Sequence, residues 1–198
     1  MPYLIIISAY LLGSLSAAII TCKIMGLADP RTVGSKNPGA TNVLRHGGKK
    51  AAFFTLLGDL LKGLVPVAIA HYVFKLEYNW LVLVAIAAFL GHLYPVFYQF
   101  KGGKGVATAI GVFLGMHVGA GLAVVATWLF MAKGLKISSL AALIASALAP
   151  LYFYLFTDSI QLTYGIIFIS ILIFWRHRSN IQNLLDGSED KIQADDKK

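Results

Sequence analysis

The amino-acid sequence predicts an all-α, polytopic integral membrane protein of about seven transmembrane helices, and three observations carry that expectation. Hydrophobic residues make up 58% of the chain and charged residues 13%, with a mean hydropathy of +0.72. A soluble domain of this length needs far less apolar surface. Apolar runs of membrane length alternate with short polar stretches. The basic residues, finally, collect in every second stretch, which a membrane orientation explains directly.

The first apolar run covers residues 3–22 and lacks the basic start of a cleaved signal, so it is expected to stay as an anchor. Residues 23–50 turn polar, with Lys23, Arg31, Lys36, Arg45, Lys49 and Lys50. A second run spans 51–74. Trp80, after the Glu77-Tyr78-Asn79 turn, anchors the third, 80–98, at the interface. Residues 105–116 and 119–132 form two pieces divided by Met116-His117-Val118-Gly119. Each is shorter than the ~20 residues of a perpendicular span, so thin, broken or shielded helices are expected there. Two further spans follow at 138–156 and 160–175. Residues 1–185 thus read as one membrane-embedded domain, and 186–198 as a polar, mobile tail.

With seven spans, the loops 23–50, 99–104 and 133–137 and the C-terminal tail share one side. They carry six, two, two and five of the seventeen Lys and Arg residues. The positive-inside rule makes that side cytoplasmic and puts the N-terminus outside. The formal charge of +8 therefore calls for no nucleic-acid partner. Cys22 is the single cysteine, which excludes an internal disulfide and a thiolate-built metal site.

Four polar groupings fall on the basic side. Phe100-Lys101-Gly102-Gly103-Lys104-Gly105-Val106-Ala107-Thr108 joins three glycines and two lysines at the point where a helix is expected to begin. Glycine backbone turned inward and a helix N-terminus both favour a phosphate, although the spacing is not Walker A. A flexible basic loop is the plainer reading. Residues 34–45 hold Gly34, Ser35, Asn37, Gly39, Thr41, Asn42 and Arg45. This is either an ordinary Asn/Gly/Pro turn or a second anion cradle, with Thr41 or Asn42 capping a helix that carries Arg45. Ser139 opens the sixth span. Arg176-His177-Arg178-Ser179-Asn180 closes the seventh, as a headgroup belt or with His177 and Asn180 turned into the same pocket.

Within the spans, Asp59 and Lys62 lie one turn apart and are expected to pair structurally, and His92 to make an interhelical hydrogen bond. Several anion donors converging on one face suggest more than one phosphate, or a phosphate beside a reacting acyl group.

GSKNPGATNVLR (34–45), GDLLKG (58–63), GHLYPVFYQFKGGKGVAT (91–108), the serine at 139 and RHRSNI (176–181) together resemble the bacterial acyl-phosphate:glycerol-3-phosphate acyltransferases, the PlsY family. The likeness runs in order over about residues 8–185. Ala142 departs from it, standing where many members have a second serine. The resemblance implies a seven-helix enzyme of the bacterial inner membrane whose active site faces the cytoplasm. It would pass a fatty acyl group from acyl phosphate to the 1-hydroxyl of glycerol 3-phosphate, giving lysophosphatidic acid and phosphate.

By the same resemblance, the glycine loop (Gly102, Gly103, Gly105 and Thr108) with Lys104, and Ser35 with Gly34, Asn37 and Gly39, take phosphate groups. Arg45, Lys104, Ser139, His177 and Asn180 would hold glycerol 3-phosphate, with Thr41 and Asn42 shaping the first loop. Ser35, Lys104, His177 and Asn180 are the expected catalytic residues, with Asp59, Lys62 and His92 in support. No metal or cofactor is expected. The partners are acyl phosphate, glycerol 3-phosphate, the bilayer and, at the basic face, a soluble acyl-phosphate synthase. None of the histidines (46, 71, 92, 117 and 177) has Asp five positions on, unlike acyltransferases that use His-x-x-x-x-Asp. The rival from another class is a membrane carrier for phosphate or organic anions, which should show paired broken helices at the membrane midplane.

Overall fold

A computed structural model of the protein describes residues 1–192, and these form nine α-helices. They are α1 (Pro2–Gly13), α2 (Ala17–Ile24), α3 (Ala40–Ala68), α4 (Tyr78–Leu93), α5 (Val106–Met116), α6 (Val118–Leu135), α7 (Ser138–Thr157), α8 (Ile160–Arg176) and α9 (Arg178–Leu185). A π-turn at Ile69–Val73 extends α3, and a 3₁₀ turn at Val96–Tyr98 follows α4. α3, α4, α6 and α7 are each long and apolar enough to cross a membrane. Counting the bent pairs α1–α2 and α8–α9 as single spans raises the number to six, and α5 is a shorter apolar helix. Part of the expected tail, residues 193–198, lies outside the described residues.

The apolar runs map onto these helices with informative differences. The run at 3–22 is two helices bent by 44°. The break falls at Ser14-Leu15-Ser16, where Ser16 caps α2 by accepting from the Ile19 N–H. A break leaves carbonyls without helical partners, and Lys62 takes one: its Nζ donates to Leu15 O at 2.7 Å. The same ammonium meets Asp59 Oδ1 at 2.8 Å, the structural pair expected from their spacing.

Residues 40–47, inside the polar stretch 23–50, are helix, so Arg45 does sit on a helix as one of the two readings of this segment had it. α3 starts at Ala40 and is interrupted by non-helical backbone only at Gly48. Gly39 occupies the capping position without a side-chain bond, so neither Thr41 nor Asn42 caps this helix. The pieces at 105–116 and 119–132 are indeed separate, because extended backbone at His117 divides α5 from α6. That histidine caps α6 by accepting from the Ala120 N–H. α9, which the apolar pattern missed, leaves α8 at 60° and buries none of its residues.

The core forms around α4, which α1, α3, α5 and α8 touch. Phe89, Leu93, Val112, Phe113 and Met116 are buried there. α3 and α5 come closest where glycines remove the intervening side chains. A β-carbon at Gly63 would overlap the Thr108 carbonyl, and one at Gly111 the Leu60 carbonyl. Without a hydrophobic force between helices in lipid, such close packing is what holds spans together. Gly111→Val is expected to cost about 1–3 kcal/mol, as other overpacked cores do. Thermal unfolding in detergent should show a lowered Tm, whereas Gly134→Ala, where added bulk meets open space on a helix, should hold or slightly raise it.

Candidate active site

One end of the bundle gathers the polar segments. After α4 the chain enters the glycine loop, whose path is fixed from three directions. The Gly103 N–H donates to His92 O at 3.2 Å. Arg176 reaches from the end of α8, donating through Nε to Gly103 O at 3.1 Å and through Nη2 to Gly102 O at 2.9 Å. Its guanidinium lies 5.7 Å from the centre of the Tyr94 ring, whose carbonyl accepts from Tyr10 Oη. Gly105 then caps α5 at φ +87°, and a side chain there would collide with the Phe89 ring, so only glycine fits. Arg176 engages loop carbonyls that would repel an anion, and the N–H groups opening α5 are among the donors left at this end.

Asn42 shapes the first loop from within. It is 2% exposed, and its Nδ2 donates to the carbonyls of Pro30, Val33 and Asn37, while Oδ1 accepts from the Ser35 N–H. Such a fully satisfied buried amide holds the loop in one conformation. Ser35 and Gly34 stay exposed at the surface, with Asn37 and Gly39 half-buried. The Gly39 N–H donates to Asn37 O. Thr41 ties the loop to the start of α7 through Ser138, 3.2 Å away. Asp29 and Arg31 pair at 2.7 Å, which holds the carboxyl below its usual range. Pro38 O stands close to Gly103, so the two loops touch.

Between them lies the cluster that matters chemically. Lys104 Nζ donates to Asn180 Oδ1. Asn180 Nδ2 and Ser139 Oγ both donate to Glu189 Oε1, each at 2.6 Å. Arg45 pairs with Asp190 at 2.7 Å. His177 is buried at the α8–α9 junction, and its Nδ1 meets Ile173 O at 2.8 Å. A carbonyl can only accept, so Nδ1 carries the proton and Nε2 of the neutral ring is the acceptor. Lys104, Glu189 and Arg176 lie within electrostatic range of this imidazole. Burial pushes the Lys104 ammonium below its ordinary pKa, Arg176 and Arg45 push the same way, and only Glu189 opposes them.

Arg45, Lys104, Ser139, His177 and Asn180 are thus brought to one place from four segments. Thr108, Asp59, Lys62 and His92 form a buried layer behind it: His92 Nδ1 lies 3.1 Å from Thr108 Oγ1 and 3.6 Å from Asp59 Oδ1. Thr108 faces this layer and is fully buried. Two features escaped sequence reasoning. Arg176 looked like part of a headgroup belt, yet only Arg178 behaves so, stacked 5.2 Å from the Trp175 ring. Glu189 and Asp190 carried no apolar or glycine pattern to mark them. Among the described residues, no group of three or more His, Cys, Asp or Glu side chains is placed to hold a metal ion.

These features define an integral membrane protein with a cation-rich site at one end of its helices. The comparisons with known proteins make the class specific. The family model "Glycerol-3-phosphate acyltransferase" matches residues 3–187. A relative of that name from Thioalkalivibrio sulfidiphilus is 57% identical over 95% of this chain and 92% of its own. Another, from Ruthia magnifica, is 55% identical over 95% of each. The crystal structure of PlsY (YgiH), an integral membrane glycerol 3-phosphate acyltransferase, in its glycerol 3-phosphate form, superposes with a TM-score of 0.92 at 39% identity, covering 97% and 96% of the two chains. Its lysophosphatidic acid form gives 0.90 at 37%. The chain belongs to the glycerol-3-phosphate acyltransferase family, and within it to the PlsY proteins.

Two outcomes follow from the site. Arg176→Gln should loosen the glycine loop and weaken inorganic phosphate binding by roughly tenfold, the worth of about one charge-assisted hydrogen bond. Arg178→Gln should leave it unchanged, with calorimetry on the purified protein as the measurement. Because the Lys104 ammonium sits below the ordinary ~10.4 of lysine, phosphate binding should fade at a lower pH than an exposed lysine would allow. Lys104→Arg, which keeps its charge, should carry whatever binding it retains to higher pH.

Proposed function

We propose that this chain transfers a fatty acyl group from acyl phosphate to the 1-hydroxyl of sn-glycerol 3-phosphate, forming lysophosphatidic acid and inorganic phosphate. The observation that carries this reading is the convergence of Arg45, Lys104, Ser139, His177 and Asn180 at the mouth of one apolar bundle. Both substrates are phosphorylated, so two anions have to be neutralised side by side while an acyl chain stays in lipid. Family membership supports the acceptor, and the glycerol 3-phosphate and lysophosphatidic acid forms of the structural relative support the same acceptor and product.

Acyl phosphate is an activated mixed anhydride, so a covalent enzyme intermediate is unnecessary. The glycerol oxygen attacks the acyl carbon, the bond to the phosphate oxygen breaks, and phosphate leaves with that electron pair. N–H groups at the start of α5, or the exposed Ser35 region, would stabilise the developing oxyanion. The hydroxyl proton passes to the departing phosphate, with His177 Nε2 the protein alternative as base. Positioning and charge neutralisation then supply most of the acceleration. Ser35, Lys104, His177 and Asn180 are the catalytic group, and Gly34, Asn37, Gly39, Arg45, Gly102, Gly103, Gly105 and Ser139 the binding group.

The membrane arrangement is part of the proposal: seven crossings, with α1–α2, α8 and the short α5 each counted once, the N-terminus outside and the site at the cytoplasmic side of the bacterial inner membrane. A soluble acyl-phosphate synthase would dock on that basic face. An anion carrier is the weaker reading, since the polar groups lie at one end of the helices rather than midway along paired breaks.

Purified protein supplied with acyl phosphate and labelled glycerol 3-phosphate should form lysophosphatidate, and acyl-CoA should not replace the donor. Lys104→Ala and Arg45→Ala are each expected to lower kcat/KM by 100-fold or more, the scale of removing one transition-state donor, with unfolding behaviour preserved. Normal turnover in either variant would remove the phosphate-site assignment. If a neutral replacement of His177 abolished the chemical step while both substrates still bound, proton transfer to the departing phosphate would be ruled out.

A further inference from the structure

Past α9 the chain turns back on itself. Gly187 adopts φ +70°, the Ser188 N–H donates to Asn183 O at 2.8 Å, and residues 189–192 run across the open end of the cluster. The strand is fastened at its far end, where the Ile192 N–H donates to Lys136 O at 2.6 Å in the link between α6 and α7. Its two carboxylates land on the cationic and hydroxyl donors. Glu189 Oε1 accepts from both Ser139 Oγ and Asn180 Nδ2. Asp190 Oδ2 accepts from Arg45 Nη1, and the Lys191 carbonyl accepts from Arg45 Nη2 at 3.2 Å.

A carboxylate and a phosphate offer the same kind of acceptor oxygens to Arg, Ser and Asn donors. Glu189 and Asp190 therefore satisfy the same groups that an incoming phosphate would need. We propose that Glu189 and Asp190 are a tethered pair of competing anions that sets the affinity of this site for glycerol 3-phosphate. This rests on the functional reading above.

The tether makes occupancy intramolecular, so even weak pairs fill the site at the high effective concentration of a short segment. The pairs are weak enough to yield. The Asp190 side chain is 72% exposed, and an exposed pair gains little from Coulomb attraction. A phosphate dianion brings more charge and more acceptor oxygens to the same donors. Substrate thus displaces the strand rather than meeting a closed site, and the occupied fraction appears as a raised apparent KM with kcat untouched. Removal of the strand also leaves Lys104 without the one anion that steadies its charge. Substrate phosphate then fills that role.

The test compares three full-length or nearly full-length proteins in the same detergent or nanodiscs: the unaltered chain, Glu189→Gln with Asp190→Asn, and a chain ending at Gly187. Glycerol 3-phosphate binding is followed by calorimetry, and kcat and KM by lysophosphatidate formation at saturating acyl phosphate. Both altered proteins are expected to bind glycerol 3-phosphate three- to tenfold more tightly and to show KM lowered by the same factor, with kcat within twofold. Unchanged or weaker binding in both would overturn the proposal, because the strand would then be a wall of the pocket instead of its occupant. Tighter binding with no turnover in any of the three would support the competing anions and sink the acyl-transfer reading alone. Turnover in all three with unchanged affinity would sink the competing anions alone.

Discussion

The Arg176 guanidinium, lodged against Gly102 O and Gly103 O, is the contact on which the polar end of this bundle depends. A loop of glycines has no side chains with which to hold itself, and glycine loses more freedom on ordering than any other residue. Here the order comes from outside: from Arg176 on α8, from His92 at the end of α4, and from the Phe89 ring beneath Gly105. The loop borrows its rigidity from its neighbours. Lys104 projects from it already bound to Asn180, one turn past Arg176 on the neighbouring helix. The same chain segment therefore both braces the loop and lines the site.

Charge inside the bundle follows a comparable logic. Lys62, with its side chain 8% exposed, answers two needs at once: the carboxylate of Asp59 and the carbonyl freed where α1 gives way to α2. His92 extends that layer to Thr108 on α5 and lends its own carbonyl to the glycine loop. Buried polar groups in apolar surroundings are costly unless satisfied, so this layer ties the bend in the first span to the placement of the glycine loop. The bend in the first span and the glycine loop are thus linked through one layer of polar contacts.

The spans on either side act through their shortness. α5 has 11 residues and starts at the glycine loop, which places its N-terminus inside the molecule rather than at an outer surface. Its glycine at 111 lets α3 lie against it at backbone distance. The end of a short, closely packed helix brings N–H dipoles to where long helices would present only side chains. A site for charged substrates can then sit next to lipid without a wide aqueous cavity.

Much of this was legible from residue order alone. Apolar runs located the helices, since burial in lipid demands continuous hydrophobic stretches, and the glycine, lysine and asparagine groupings singled out by their chemistry are ones that the fold gathers at one end of the bundle. The pair Asp59–Lys62 followed from helical spacing, and the separation of α5 from α6 from the dividing stretch at 116–119. Other matters needed three dimensions. Whether Arg176 or Arg178 turns inward depends on which side of a 60° bend each occupies, and sequence periodicity ends at such a bend. That Asn42 serves loop carbonyls instead of capping α3, and that Glu189 and Asp190 return to Ser139, Asn180 and Arg45, are contacts between residues that no local pattern couples. Local propensity encodes the elements; which polar group meets which is decided only when packing has brought the elements together.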